Sequence, residues 1–147
     1  MRRMAVAGLV VAALSLPMFV LAQEGRGNVR DGAQPATILG TVNIPKSVRV
    51  DGKALAAGTY QVRLTADTPP PVVGQSPDGA RYVEFVKAGK VIAREVATVV
   101  SNQEIASIAE SRRPAANGVK VEMLKGNDYL RVWINRSGAN YLIHLPT

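Results

Sequence analysis

The stretch Val48–Leu64, VRVDGKALAAGTYQVRL, decides how the chain is read. Val48, Arg49 and Val50 alternate, and Asp51-Gly52 supplies the positive φ that a tight turn needs. Ala54 to Ala57 then connect to Gly58, a residue suited to a bend. From Thr59 the alternation is strict. Tyr60, Val62 and Leu64 point one way, and Thr59, Gln61, Arg63 and Thr65 point the other. A period of two marks a strand with one buried face. Tyr60 is the expected anchor, because its ring can fill a core edge while its hydroxyl reaches a backbone group.

Outward from this stretch, the same pattern recurs. Ala36 to Ile44 reads as a first strand with Ile38, Val42 and Ile44 as apolar positions, Gly40 as a bulge and Pro45 as its end. Residues 67–80, DTPPPVVGQSPDGA, contain three consecutive prolines and form an extended surface loop. Arg81 to Lys87 and Val91 to Val100 are the arms of a hairpin around Ala88-Gly89-Lys90. Gln103 to Glu110 is read as a strand, although Ile105 and Ile108 have the spacing of a helical turn. Three alternating runs near Val119–Leu124, Tyr129–Asn135 and Tyr141–Leu145 form a meander across turns at Gly126-Asn127-Asp128 and Arg136 to Ala139. About eight short strands and no long helix indicate an all-β domain, an antiparallel β-sandwich, with a small β-barrel as the alternative.

The DGKALAAGTYQVRL segment is similar to the G-K-x-L-x-A-G-T-Y-x-V segment of small secreted bacterial β-sandwich domains that have no assigned function. More loosely it resembles the L-x-P-G-x-Y-x-L-x-V strand of carboxypeptidase-regulatory-like and prealbumin-like domains. The chain departs from that second pattern, having no Asp-x-x-Gly-x-Phe strand ahead of Gly58-Thr59-Tyr60. The first resemblance implies a secreted β-sandwich, and neither brings a catalytic residue.

The first 22 residues stand apart. Arg2 and Arg3 precede an almost wholly apolar run, Met4 to Leu16, and Val20-Leu21-Ala22 offers the small residues that a signal peptidase reads. This is the pattern of a secretory signal peptide cleaved after Ala22, which leaves no stable membrane span and places the protein in the periplasm or outside the cell. Residues 23–35, polar and rich in glycine, read as a flexible leader to a domain over 36–147. Without Arg2 and Arg3, sixteen basic residues face eleven acidic ones, a net charge of +5. These charges are scattered through strands and turns, so nucleic acid is not an expected partner. Envelope proteins or polysaccharide are.

The chain has no cysteine, which removes disulfides, thiolate metal sites and cysteine nucleophiles. One histidine, His144, cannot build a histidine metal cluster, and no serine lies in a nucleophile-elbow context. The Asp-Gly pairs at 31–32, 51–52 and 78–79 are read as turns rather than calcium ligands. Glu84 and Glu95 lie on the arms of one hairpin among basic residues and are read as ion-pair partners rather than a glycosidase pair. No catalytic, cofactor-binding or metal-binding residue is assigned, no cofactor is expected, and the protein is read as a binding or structural module rather than an enzyme.

One strand face is the candidate ligand site: Tyr129, Arg131, Trp133 and Asn135. Flat aromatic rings beside an arginine and an amide suit a sugar, which makes a carbohydrate-binding module the alternative function. The competing reading has Trp133 and Tyr129 covering the sheet, or an edge beneath a loop, with Arg131 over the indole. A small hydrolase built on His144 is the third reading.

Overall fold

The computed structural model describes residues 36–147. The expected signal peptide and leader lie outside the described residues. Nine strands and one helical turn follow in order: β1 (Thr37–Ile44), β2 (Val48–Val50), β3 (Lys53–Leu55), β4 (Gly58–Leu64), β5 (Ala80–Lys87), β6 (Lys90–Ser101), α1 (Ile105–Ile108), β7 (Val119–Met123), β8 (Tyr129–Arg136) and β9 (Ala139–Pro146).

Seven strands form one antiparallel sheet in the order β1-β4-β5-β6-β9-β8-β7. The sheet curls until its two ends meet, β1 lying along β7 and β8, so the domain is all-β and nearly closed into a barrel. The barrel alternative therefore describes the architecture, because one curled sheet encloses the core where a sandwich would use two facing sheets. Gly40 marks the seam. A Cβ added there would sit 2.9 Å from Val119 Cγ2, so the closure depends on a residue with no side chain.

The expected bulge is present in β1, where the register with β4 shifts between Ile38 and Gly40. An extra residue reverses the alternation upstream of it. Leu39 is thereby buried, and Ile38, expected to be an inward position, is 49% exposed.

The stretch Val48–Leu64 holds three strands, β2, β3 and β4, where two are expected. Asp51 (φ 47°) and Gly52 (φ 73°) form the expected tight turn with positive φ at both central residues. However, β2 pairs through it with β3, in a separate two-stranded sheet, and not with β4. Ala54 and Leu55, expected to lie in a connection, form β3 together with Lys53. Strand β4 instead lies between β1 and β5. The small hairpin packs against β6 and β9, and the Asp51 N–H donates to the Glu95 carboxylate at 3.0 Å. Strand β6 pairs with β9 only from Ala97 onward, so the hairpin sits where these two strands part.

The barrel interior is built from the alternating positions. Tyr60, Val62, Val83, Phe85, Val132 and Ile143 are all buried, and Val48, Val50 and Leu55 of the hairpin join them. Tyr60 is 3% exposed; its hydroxyl donates to the Ala56 carbonyl at 2.8 Å, and its ring meets Phe85 edge-on. The predicted anchor role has its geometry: an apolar body in the core and a satisfied polar tip.

Residues 103–110 are not a strand. They contain the helical turn α1, preceded by a reciprocal exchange between Ser101 and Glu104. The Glu104 N–H donates to Ser101 Oγ at 3.2 Å, and the Ser101 N–H and hydroxyl donate to Glu104 Oε2 at 3.4 and 2.8 Å. The reciprocal pattern and the S-x-x-E spacing of Ser101-Asn102-Gln103-Glu104 are those of a capping box, here closing the turn ahead of α1, whose own N-cap, Glu104, makes no side-chain capping bond.

Candidate functional site

The C-terminal meander is as read: β7, β8 and β9 are consecutive neighbours in the sheet. Its inner face carries Leu130, Val132 and Ile134 into the barrel core. Its outer face carries Arg131, Trp133 and Asn135 on β8, flanked by Lys120 and Glu122 on β7 and by Asn140, Leu142 and His144 on β9. Residues 102–118, leaving β6 and returning to β7, form a roof over part of this outer face. Beneath it Val100, Ile105, Ala109, Trp133 and Leu142 pack as a second apolar cluster, separate from the barrel core.

The roof places the four candidate residues in unlike environments. Trp133 is 1%, Asn135 4% and Arg131 8% exposed, whereas Tyr129 is 46% exposed. They share a strand face, as the period of two requires, yet they do not form an open platform. A stacking surface needs a bare indole face, and that of Trp133 is covered. The Arg131 guanidinium carbon lies 5.3 Å from the indole centroid, with Lys120 Nζ at 5.8 Å. This matches the reading in which arginine lies over the ring.

Each buried polar group on this face has partners, as burial demands. Trp133 Nε1 donates to Asn140 Oδ1 at 2.9 Å, and Asn140 Nδ2 donates to Asn102 Oδ1 at 2.9 Å and to the Val100 carbonyl. Asn140, fully buried, thus ties β9, β8 and the first residue of the roof together. It was missed in the sequence, where an asparagine beside a turn looks like a solvated loop residue. Arg131 forms an ion pair with Glu122, donating from Nε at 2.9 Å, and its other nitrogen reaches Ser111 Oγ at 3.2 Å. Ser111 and Lys120 also donate to Glu122, at 2.9 and 3.0 Å. Burial pushes the Glu122 carboxyl up, but the hydrogen bonds from Arg131, Lys120 and Ser111 outweigh it and hold the group below its ordinary value.

His144 stands opposite Arg131 in the β8–β9 register, on the exposed part of the outer face. Partial desolvation, and then the Arg131 charge, lower its pKa below the ordinary 6.5. Ser111, the nearest approach to a serine in this network, is bonded to Glu122 and Arg131 rather than to the imidazole. Glu84 and Glu95 do not pair either. Glu84 lies opposite Arg94 and Glu95 opposite Val83, so they occupy opposite faces of the hairpin. Glu84 forms an ion pair with Arg63 at 2.7 Å, and Glu95 accepts from the hairpin turn. Among the described residues no group of three metal-ligating side chains converges.

A cleft of about 1050 Å³ opens between the roof and the end of β8. Asn135 and Trp133 border it from the sheet, Asn102, Ser111, Arg112 and Arg113 from the roof, and Ser137-Gly138 from the β8–β9 turn. The backbone shapes the roof closely. The Gly118 N–H donates to the Ala115 carbonyl at 2.8 Å, and a Cβ on Gly118 would lie 2.8 Å from that same oxygen. The Asn135 side-chain amide donates to the Pro114 carbonyl at 3.0 Å, which anchors the roof to β8. Asn135, which heads an Asn-Arg-Ser match to a glycosylation sequon, is therefore buried and engaged in the folded domain, while Ser137 is exposed.

Comparison with known proteins finds no matching family model, no matching curated protein and no matching solved structure.

Proposed function

We propose that the protein is an exported module of the cell envelope or extracellular space, related to the small secreted β-sandwich domains that its Gly58-Thr59-Tyr60 segment resembles, and that it acts by non-covalent association. The observation that carries this reading is the use made of the reactive side chains. Glu122, Arg131 and Ser111 are bound to one another, and His144 faces a guanidinium that disfavours its protonation. A general base needs a substrate proton within reach and an orienting partner, and a nucleophile needs a base beside it. This network instead neutralises charge beneath a roof.

A carbohydrate ligand is the second reading, favoured by the cleft beside Trp133 and Asn135 rather than by an open strand face.

Expression of the full chain in a bacterial host tests the first reading. Exported material should have the intact mass of a chain beginning at Gln23, and it should co-sediment with isolated envelopes. A membrane-held species retaining Met1 would remove the export claim. Turnover of ester or glycoside substrates that is lost in His144→Ala would replace association with catalysis.

A further inference from the structure

We infer that the cleft between the 102–118 roof and β8 is a binding site for an acidic oligosaccharide, a chain of sugars carrying carboxylates. The inference deepens the association reading and rests on it.

The volume is the first argument. At about 1050 Å³ the cleft lies at the upper end of the size range of small-molecule sites, and it exceeds what one sugar ring would occupy. The second argument is a pair of side-chain amides, each with one end engaged in the protein and, among the described residues, the other end free at the cleft. Asn135 is 4% exposed, and its amide nitrogen is spent on Pro114, while among the described residues no group donates to its Oδ1. Asn135 borders the cleft, so this oxygen can accept a hydrogen bond from a ligand hydroxyl. Asn102 presents the complementary case: its Oδ1 is engaged by Asn140, and its Nδ2 is unspent among the described residues. One hydroxyl group both donates and accepts, so amide ends of opposite sense suit a polyol.

The charge selects among polyols. Arg112 and Arg113 border the cleft and are exposed, against one lining acid, Glu110. Neither arginine forms an ion pair among the described residues. Guanidinium groups at the rim favour a carboxylate through charge-assisted hydrogen bonds. A protein partner of similar size is less well served, since the lining presents small side chains such as Ala106 and Ala115 rather than a deep apolar socket.

The experiment compares trigalacturonate with its full methyl ester, which keeps the ring hydroxyls and removes the charge. Both are titrated against the exported protein by calorimetry and by the fluorescence of its single tryptophan, which borders the cleft. The expected result is saturable binding of the acid, weakened about tenfold or more for the ester and for the Arg112→Ala/Arg113→Ala variant. That variant changes only exposed rim residues, and its melting curve should match the parent's. Absence of saturable heat or fluorescence change overturns the inference. So does equal binding of acid and ester, or binding indifferent to the arginine pair. If the oligosaccharide fails while envelope association persists, only the cleft assignment falls; if both fail, the association reading falls with it.

Discussion

The two faces of β8 are buried to a similar degree by different means. The inner face, Leu130, Val132 and Ile134, is apolar and is covered by the rest of the barrel. The outer face, Arg131, Trp133 and Asn135, is polar and aromatic and is covered largely by the irregular segment 102–118. An apolar face requires only a complementary shape, and the transfer of side chains out of water stabilises it without directional bonds. A polar face can be covered only if each donor, acceptor and charge finds a partner. The roof therefore depends on specific bonds: Asn135 to Pro114, Asn140 to Asn102, and Arg131 to both Glu122 and Ser111. The inner layer should tolerate conservative repacking, and the outer layer should tolerate little that breaks a pair.

The largest effects come from emptying either layer. Tyr60→Ala in the barrel and Trp133→Ala under the roof should each cost about 3–5 kcal/mol, measured as a shift of the denaturant midpoint. Trp133→Phe sharpens the contrast, since it keeps most of the ring and strands Asn140 Oδ1; a loss of about 1–3 kcal/mol is expected. A Trp133→Ala protein that melts like the parent would show that the roof contributes nothing to stability.

The charge cluster comes next. Glu122→Gln removes the partner of Arg131, whose side chain is 10% exposed, and should cost about 1–3 kcal/mol. Replacing both residues, by Glu122→Leu with Arg131→Met, should cost less than the sum of the two single changes, because no charge is then left unpaired. Additive losses would mean that the pair is not coupled.

A smaller effect is pH dependence on the outer face alone. The folded-state pKa of His144 lies below its ordinary 6.5, so on acidification the unfolded chain binds that proton first. Its contribution is fully present above pH 6.5, falls as the pH drops toward the folded value and then levels off. Glu122 adds a second loss at lower pH, because its folded value is held below 4.5 and its stabilisation disappears as the pH falls through it. His144→Asn should flatten the upper limb of the stability–pH curve and leave the lower one. An unchanged upper limb would refute the assignment.

The smallest expected change is a gain. Ala88 holds φ 49° in the β5–β6 turn, a left-handed conformation that a residue with Cβ adopts at a cost. Ala88→Asn should raise stability by up to about 1 kcal/mol without moving either layer.

The inner layer was largely legible and the outer layer was not, for reasons visible at single positions. Alternation at Tyr60, Val62 and Leu64 and along β8 assigns an inner face because pleat and period coincide. The bulge at Gly40 was legible too, but its effect on Ile38 and Leu39 was not, since a one-residue insertion inverts the pattern that had been used to read the strand. The Ser101–Glu104 spacing contained the signal of the turn into α1, obscured by the apolar residues that follow. The candidate face was found by its residue types and a covering loop was among its readings, whereas the segment that supplies the cover was not legible, because nothing in Asn140 or Pro114 alone says which strand each will meet.

By itself, then, the sequence determined most of the strands, though not β3 or the helical turn at 105–108, together with the tight turns at Asp51-Gly52, Ala88-Gly89 and Ser137-Gly138 and an all-β core rich in aliphatic residues. These follow from local periodicity and from which residues accept positive φ. Only the tertiary structure decided that one sheet would curl until Gly40 met Val119, that the β2–β3 hairpin would pack where β6 and β9 part, and that residues 102–118 would roof the outer face of β8. Each of these joins groups far apart in the chain, and they are set by side-chain volume at the seam and by pairing of polar groups as water is excluded, neither of which a local pattern encodes.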